Sequence, residues 1–128
     1  MKREMFHGII YYIGKSAKEN WNLLDTSKKI NNDYIWFHLN SFASPYVIMH
    51  ATIKELDATD LSHISVNQYL QFGAELCKEN SKYKFLKDVK IMYVPVNKLT
   101  KTENLGEVNV VGKPKLITIN LNRDAQLQ

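Results

Sequence analysis

Two neighbouring stretches constrain this chain more than any other: Asp33-Tyr34-Ile35-Trp36-Phe37-His38 and Ser44-Pro45-Tyr46-Val47-Ile48-Met49-His50. Both are rich in aromatic and β-branched residues, and a Ser/Pro turn lies between them, so they read as the strands of a hairpin. Side chains alternate along a strand. In the first stretch Tyr34, Trp36 and His38 share one face, and Ile35, Phe37 and Leu39 take the other. In the second, Val47, Met49 and Ala51 alternate with Tyr46, Ile48 and His50. One face of the hairpin is plainly apolar. The other carries rings with polar tips.

The remaining elements arrange themselves around this hairpin. Gly8 to Ile13 is a first strand closed by Gly14, and a short helix is expected near 17–25, anchored by Trp21, Leu23 and Leu24. Residues 53–63 are acidic and read as a loop. Ile64 to Ser81 is the main helix: Ser65 and Gln68 fit a capping box, and Ile64 with Tyr69 fits a hydrophobic staple. Val66, Leu70, Gly73, Ala74 and Cys77 recur on one helical face, which should pack on the sheet. The small Gly73 and Ala74 permit a close approach. Asp88 to Val96 is a strand whose Pro95 implies an edge or a strand end. Asn97 to Gly106 is a polar loop, and Val108–Val111 and Lys115–Ile119 are two short strands. The expected fold is α+β: a mainly antiparallel sheet of five to six strands with the 65–81 helix on one face. One domain over 1–121 is expected, with a frayed tail at 122–128.

Composition narrows the setting. The apolar fraction of 45% suits one hydrophobic core. No apolar run reaches membrane-spanning length, and no signal peptide is recognisable at the N-terminus. The single Cys77 lies in the apolar helical stripe, where packing outweighs reactivity. A cytosolic setting is expected, with the nucleus as the alternative.

The formal charge is +4, unevenly distributed. Residues 78–101 hold seven lysines against Glu79 and Asp88, a net of +5. Residues 53–64 hold Lys54 against Glu55, Asp57 and Asp60, a net of −2. A basic sector on a nearly neutral remainder suits polyanion binding; an ordinary solvated lysine surface is the other reading. Arginine occurs only at positions 3 and 123. Lysine is a point charge without the planar fork that reads guanine, so contacts from this domain should go to phosphates with little sequence selectivity.

Other chemistry finds less support. Trp36, His38 and Tyr46 could form a base-stacking platform; the favoured reading is that Trp36 is core and His38 makes a buried hydrogen bond, because a Trp in a central strand is usually packed. His38 and His50 could meet across the hairpin, but no carboxylate partner is evident and the four histidines lack metal-ligand spacing. Ser44 has no nucleophile elbow. Gly112-Lys113-Pro114-Lys115 is not a phosphate-binding P-loop. No metal, cofactor or catalytic residue is expected. An RNA-processing activity would rest on His38 and His50 alone.

Four segments taken in order resemble a known family. Tyr12-Ile13-Gly14-Lys15 with Glu19-Asn20 resembles the opening strand and Gly-Lys turn of NFACT-R, the RNA-binding-type domain of the NFACT proteins of ribosome-associated quality control. Ile35-Trp36-Phe37-His38 resembles its D-[IL]-W-[FL]-H signature. Residues 74–81 resemble the end of its helix, and residues 94–102 its strand and basic N-L-x-K-T loop. The likeness spans about residues 9–120 and runs especially to the small stand-alone eukaryotic form with a coiled coil, with the basic tail of that form expected to be missing beyond Gln128. Two positions depart from the family: Tyr34 separates Asp33 from the Ile-Trp pair, and Tyr46 stands where a His is usual. The resemblance implies a non-enzymatic RNA-binding module acting on tRNA or rRNA. The lysines expected at phosphate are Lys82, Lys84, Lys87, Lys98, Lys101, Lys113 and Lys115, with Trp36, His38 and Tyr46 toward bases. The alternative is a module that docks on ribosome-associated proteins.

Overall fold

The computed structural model describes residues 1–58 and 63–120. Among these, eight strands and three helices form an α+β structure with a six-stranded antiparallel sheet. The strands are β1 (Lys2–Phe6), β2 (Ile9–Ile13), β3 (Ile35–Leu39), β4 (Val47–Met49), β5 (Val89–Pro95), β6 (Leu99–Lys101), β7 (Val108–Val110) and β8 (Lys115–Ile119). The helices are α1 (Ala17–Ile30), α2 (Ile53–Ala58) and α3 (Val66–Glu79). The main sheet runs β1-β2-β4-β3-β5-β8, and β6 and β7 pair separately. The β3–β4 hairpin thus lies at the centre, as its composition implies. The expected tail at 122–128 lies outside the described residues.

The alternation read from the hairpin sorts its residues onto two cores. Ile35, Phe37, Leu39, Val47 and Met49 join Leu70, Ala74, Leu76 and Cys77 of α3 in one cluster. Trp36, Tyr46 and Ile48 join Leu23 and Leu24 of α1 and Val94, Val96 and Leu99 in the other. The α3 capping box is formed: Ser65 N–H donates to Gln68 Oε1 at 2.8 Å, and Gln68 N–H donates to Ser65 Oγ at 3.2 Å. Gly73 permits the close approach of α3, since a Cβ there would stand 2.4 Å from Phe37 Cζ. Pro95 is the last residue of β5, which lies between β3 and β8. The proline marks a strand end within an interior position of the sheet.

Several elements differ from expectation. Strand β1 precedes the one expected first, and its charged Lys2, Arg3 and Glu4 suit a solvated sheet edge. It is joined to β2 by a tight turn in which His7 and Gly8 both have positive φ, 45° and 81°. Helix α1 extends to Ile30 and covers the second face of the sheet, because Leu23 and Leu24 find Trp36 and Ile48 there. The segment from Ile53, expected as a loop, forms α2. Its start is capped by Thr52 Oγ1, which accepts from Glu55 N–H at 3.0 Å, and Leu56 anchors it in the core. The strands β7 and β8 adjoin in sequence but join different sheets, β7 with β6 and β8 with β5.

Candidate nucleic-acid interface

On the α1 side of the sheet the layers do not close completely. Where β3 and β4 run out past the start of α1, a cleft of about 770 Å³ remains. Its walls are the Gly14–Ala17 turn, the hairpin residues Trp36, His38 and 43–46, the Asn80–Tyr83 segment after α3, and residues 105–108. A volume of this order falls in the range of small-ligand sites, about 300–1,000 Å³.

Tyr46 holds the walls together. Its N–H donates to Asn20 Oδ1 at 3.2 Å, its carbonyl accepts from Gly14 N–H at 2.9 Å, and its hydroxyl donates to Gly106 O at 2.6 Å. One residue thereby fixes the start of α1 and the 102–107 loop to the hairpin. Burial pushes its phenol up to about 12, so it stays a neutral donor. Gly106 (φ 84°) sits so close to α1 that a Cβ would meet that of Ala17 at 2.7 Å.

His38 gives the cleft its polar character. Its Nδ1 lies 2.8 Å from Leu39 O, and a carbonyl can only accept, so Nδ1 carries the proton. Burial lowers its pKa, and the ring is neutral with Nε2 as an acceptor. It stacks on Trp36 at 5.2 Å and 14°. Trp36 itself is 1% exposed, covered by His38 and, edge-on, by Tyr46. It behaves as core at the back of the cleft, and its Nε1 has no hydrogen-bond partner. Ser44 is committed to the turn: Oγ accepts from Leu39 N–H at 3.1 Å and donates to Pro45 O at 3.0 Å.

The register corrects one expectation. Trp36 pairs with Ile48 and Ile35 with Met49, so His50 lies at the Tyr34 end of the hairpin, away from His38. His50 stacks on Tyr34 at 4.6 Å, and its Nε2 lies 3.0 Å from the buried Ser27 Oγ. The two histidines do not meet, and the pairing that an RNA-processing site would need is not assembled. Among the described residues, no cluster of His, Cys, Asp and Glu could hold a metal ion.

The lysines divide. Lys82 lines the cleft, and Lys84 and Lys87 follow it in the exposed turn before Val89. Lys98 lies beyond Pro95, at the other end of β5, and Lys113 and Lys115 lie toward that end through the pairing of Lys115 with Tyr93. The seven-residue length of β5, about 20 Å, separates the two sets. Lys101 is engaged: its Nζ is 2.7 Å from Asp25 Oδ2 and 4.8 Å from the Trp21 ring centroid. The basic sector includes one lysine that is not on the surface at all. Lys78 is 1% exposed and donates to Lys84 O at 2.7 Å. Sequence reasoning passed over Lys15 as a site residue; it stands at the cleft beside Ser16, the cap of α1. The Ser16-x-x-Glu19 pattern is the signal that would have placed a helix start there, since Glu19 N–H donates to Ser16 Oγ at 3.1 Å.

The architecture is that of a small α+β domain with a two-faced sheet and a cleft on one side. In fold it is similar to the C-terminal part of the fibronectin/fibrinogen-binding protein from Streptococcus suis, with a TM-score of 0.73 and 22% identity. That likeness covers 95% of this chain and 46% of the other, so the chain spans about half the length of that structure. A family model described as the NFACT protein RNA binding domain matches residues 4–115, and the chain belongs to that family. A search among curated proteins finds no match. Among the described residues no helix is long and apolar enough to cross a membrane.

Proposed function

We propose that this chain is a non-enzymatic RNA-binding module that acts on RNA of the translation machinery, tRNA or rRNA, in the cytoplasm and in connection with ribosome-associated quality control. The observation that carries the reading is the cleft with Lys15 and Lys82 at its walls and Lys84 and Lys87 beyond, within a chain of an RNA-binding domain family. Lysines supply phosphate contacts that are indifferent to sequence. Lys82, Lys84 and Lys87 form the principal set, and Lys98, Lys113 and Lys115 a second set that a longer RNA would reach. Lys101 is held by Asp25 and contributes less. Within the cleft, the His38 Nε2 acceptor is the group placed to meet a base or ribose hydroxyl, with Trp36 and Tyr46 as its support.

Salt titration of RNA binding tests this. Changing Lys82, Lys84 and Lys87 to Gln together should weaken binding and flatten the slope of log affinity against log salt by about 0.7 per lost contact to a single strand. The same change at Lys98 and Lys113 should have a smaller effect on a short RNA. Equal slopes for wild type and the first triple variant would refute the phosphate role. A second reading, a protein-docking module, draws on the name of the structurally similar Streptococcus suis protein and on the exposed Leu116 of edge strand β8. Absence of RNA binding at low salt would favour it.

A further inference from the structure

The turn after α3 displays a side chain that the packing does not account for. Phe85 is 81% exposed, more than any other large apolar residue among those described. It stands within Lys82-Tyr83-Lys84-Phe85-Leu86-Lys87. The turn beneath it is firmly built. Leu86 N–H donates to Tyr83 O at 3.0 Å, Tyr83 N–H donates to Ser81 Oγ at 3.1 Å, and Ser81 Oγ donates to Lys78 O at 2.7 Å. Tyr83 stacks on Phe42 at 4.3 Å and 29°. From below, the buried Lys78 ammonium holds the Lys84 carbonyl at 2.7 Å. That bond ties the turn to the end of α3. Phe85 is therefore presented outward at a defined place, with Lys84 Nζ 5.1 Å from its ring centroid.

An exposed ring with three lysines in one turn matches a ligand that alternates planar faces with negative charge. Single-stranded nucleic acid is such a ligand: lysines meet the phosphates and the ring meets a base. The buried Trp36 cannot offer that face, as His38 and Tyr46 cover it. We infer that Phe85 is a base-stacking residue for single-stranded RNA, flanked by phosphate contacts from Lys82, Lys84 and Lys87. This deepens the RNA-binding reading above and rests on it. An anionic lipid surface is the rival, since it also takes aromatic and aliphatic side chains ringed by lysine.

Leucine separates the two, because it keeps apolar area and removes the π face. Binding of the full chain to a short fluorescein-labelled oligoadenylate, followed by anisotropy, is the measurement. Phe85→Ala and Phe85→Leu should each weaken binding about 5- to 100-fold. The melting temperature and the salt slope should stay as in wild type, because neither core nor phosphate contacts are lost. Phe85→Tyr should restore binding. Wild-type affinity in Phe85→Leu overturns the stacking role. So does a Phe85→Ala defect confined to phosphatidylserine vesicles. If the triple Lys→Gln variant loses affinity while Phe85→Ala does not, RNA binding stands and stacking falls. If the wild-type chain fails to bind the oligonucleotide at low salt, both fall.

Discussion

The two faces of the central sheet are built by the same two strands yet differ in kind. On the α3 face, Ile35, Phe37, Leu39, Val47 and Met49 meet a helix whose buried side is largely apolar, and Gly73 lets that helix settle onto the Phe37 ring. On the α1 face, Trp36, His38, Tyr46 and His50 bring polar tips, and three of the four find a partner. Tyr46 finds Gly106, His38 finds Leu39 and His50 finds Ser27; Trp36 Nε1 finds none. The dry face closes because apolar side chains are non-directional and fill space. The polar-tipped face stays partly open, because its hydrogen bonds fix rings at set positions and α1 begins, at Ala17, short of the hairpin's turn. A cleft arises there and not on the other side.

The comparison is sharpened most by adjacent residues. Phe37→Ala should cost about 3–5 kcal/mol on the α3 face, and Trp36→Ala a similar amount on the other, read from denaturant midpoints. Trp36 is 1% exposed although it borders the cleft. If Trp36→Ala leaves the midpoint unchanged, its ring is not core and the cleft wall is loosely packed.

Acid should act on the α1 face. Burial holds the His50 pKa at about 4, below the unfolded value of about 6.5. The unfolded chain therefore binds more protons between these values, and stability is full above pH 6.5 and is lost as pH falls toward 4. The full shift corresponds to about 3 kcal/mol; screening of this half-buried ring reduces that to about 1–2 kcal/mol. Urea midpoints at pH 7 and pH 4.5 check it. His50→Gln should shrink the difference between them, and an undiminished difference would move the acid sensitivity elsewhere.

The smallest effect is expected where the α1 face meets solvent. The Lys101–Asp25 pair is short, but its side chains are 35% and 48% exposed. Lys101→Gln should cost no more than about 1 kcal/mol, with the Trp21 contact included. A loss equal to that of Phe37→Ala would mean that the β6–β7 layer depends on this pair.

Local patterns were legible wherever a few consecutive residues carry them. The alternation in 34–39 and 46–51 sorted side chains onto their observed faces, and Ser65 with Gln68 marked the start of α3. Strand β1 was not legible, since Lys2-Arg3-Glu4 lacks the apolar alternation of a half-buried strand and is held by pairing with β2. Helix α2 has Leu56 as its buried anchor, too little for a periodic signal. The candidate site was half legible. Trp36, His38, Tyr46 and Lys82 were named from the sequence and do border one cleft, whereas Lys15 was not singled out.

The sequence by itself determined the α+β class, the central hairpin, the phase of α3 and a surplus of lysine over arginine, because each follows from side-chain type and spacing within a few residues. Only the tertiary structure decided that Lys78 turns inward to hold the 82–87 turn and that Lys98 lies at the far end of β5 from Lys82. It alone brought the Tyr46 hydroxyl to Gly106, sixty residues away along the chain. Such neighbours are set by strand order and by the closure of long loops. No local pattern of charge or hydropathy encodes which distant segments those closures bring together.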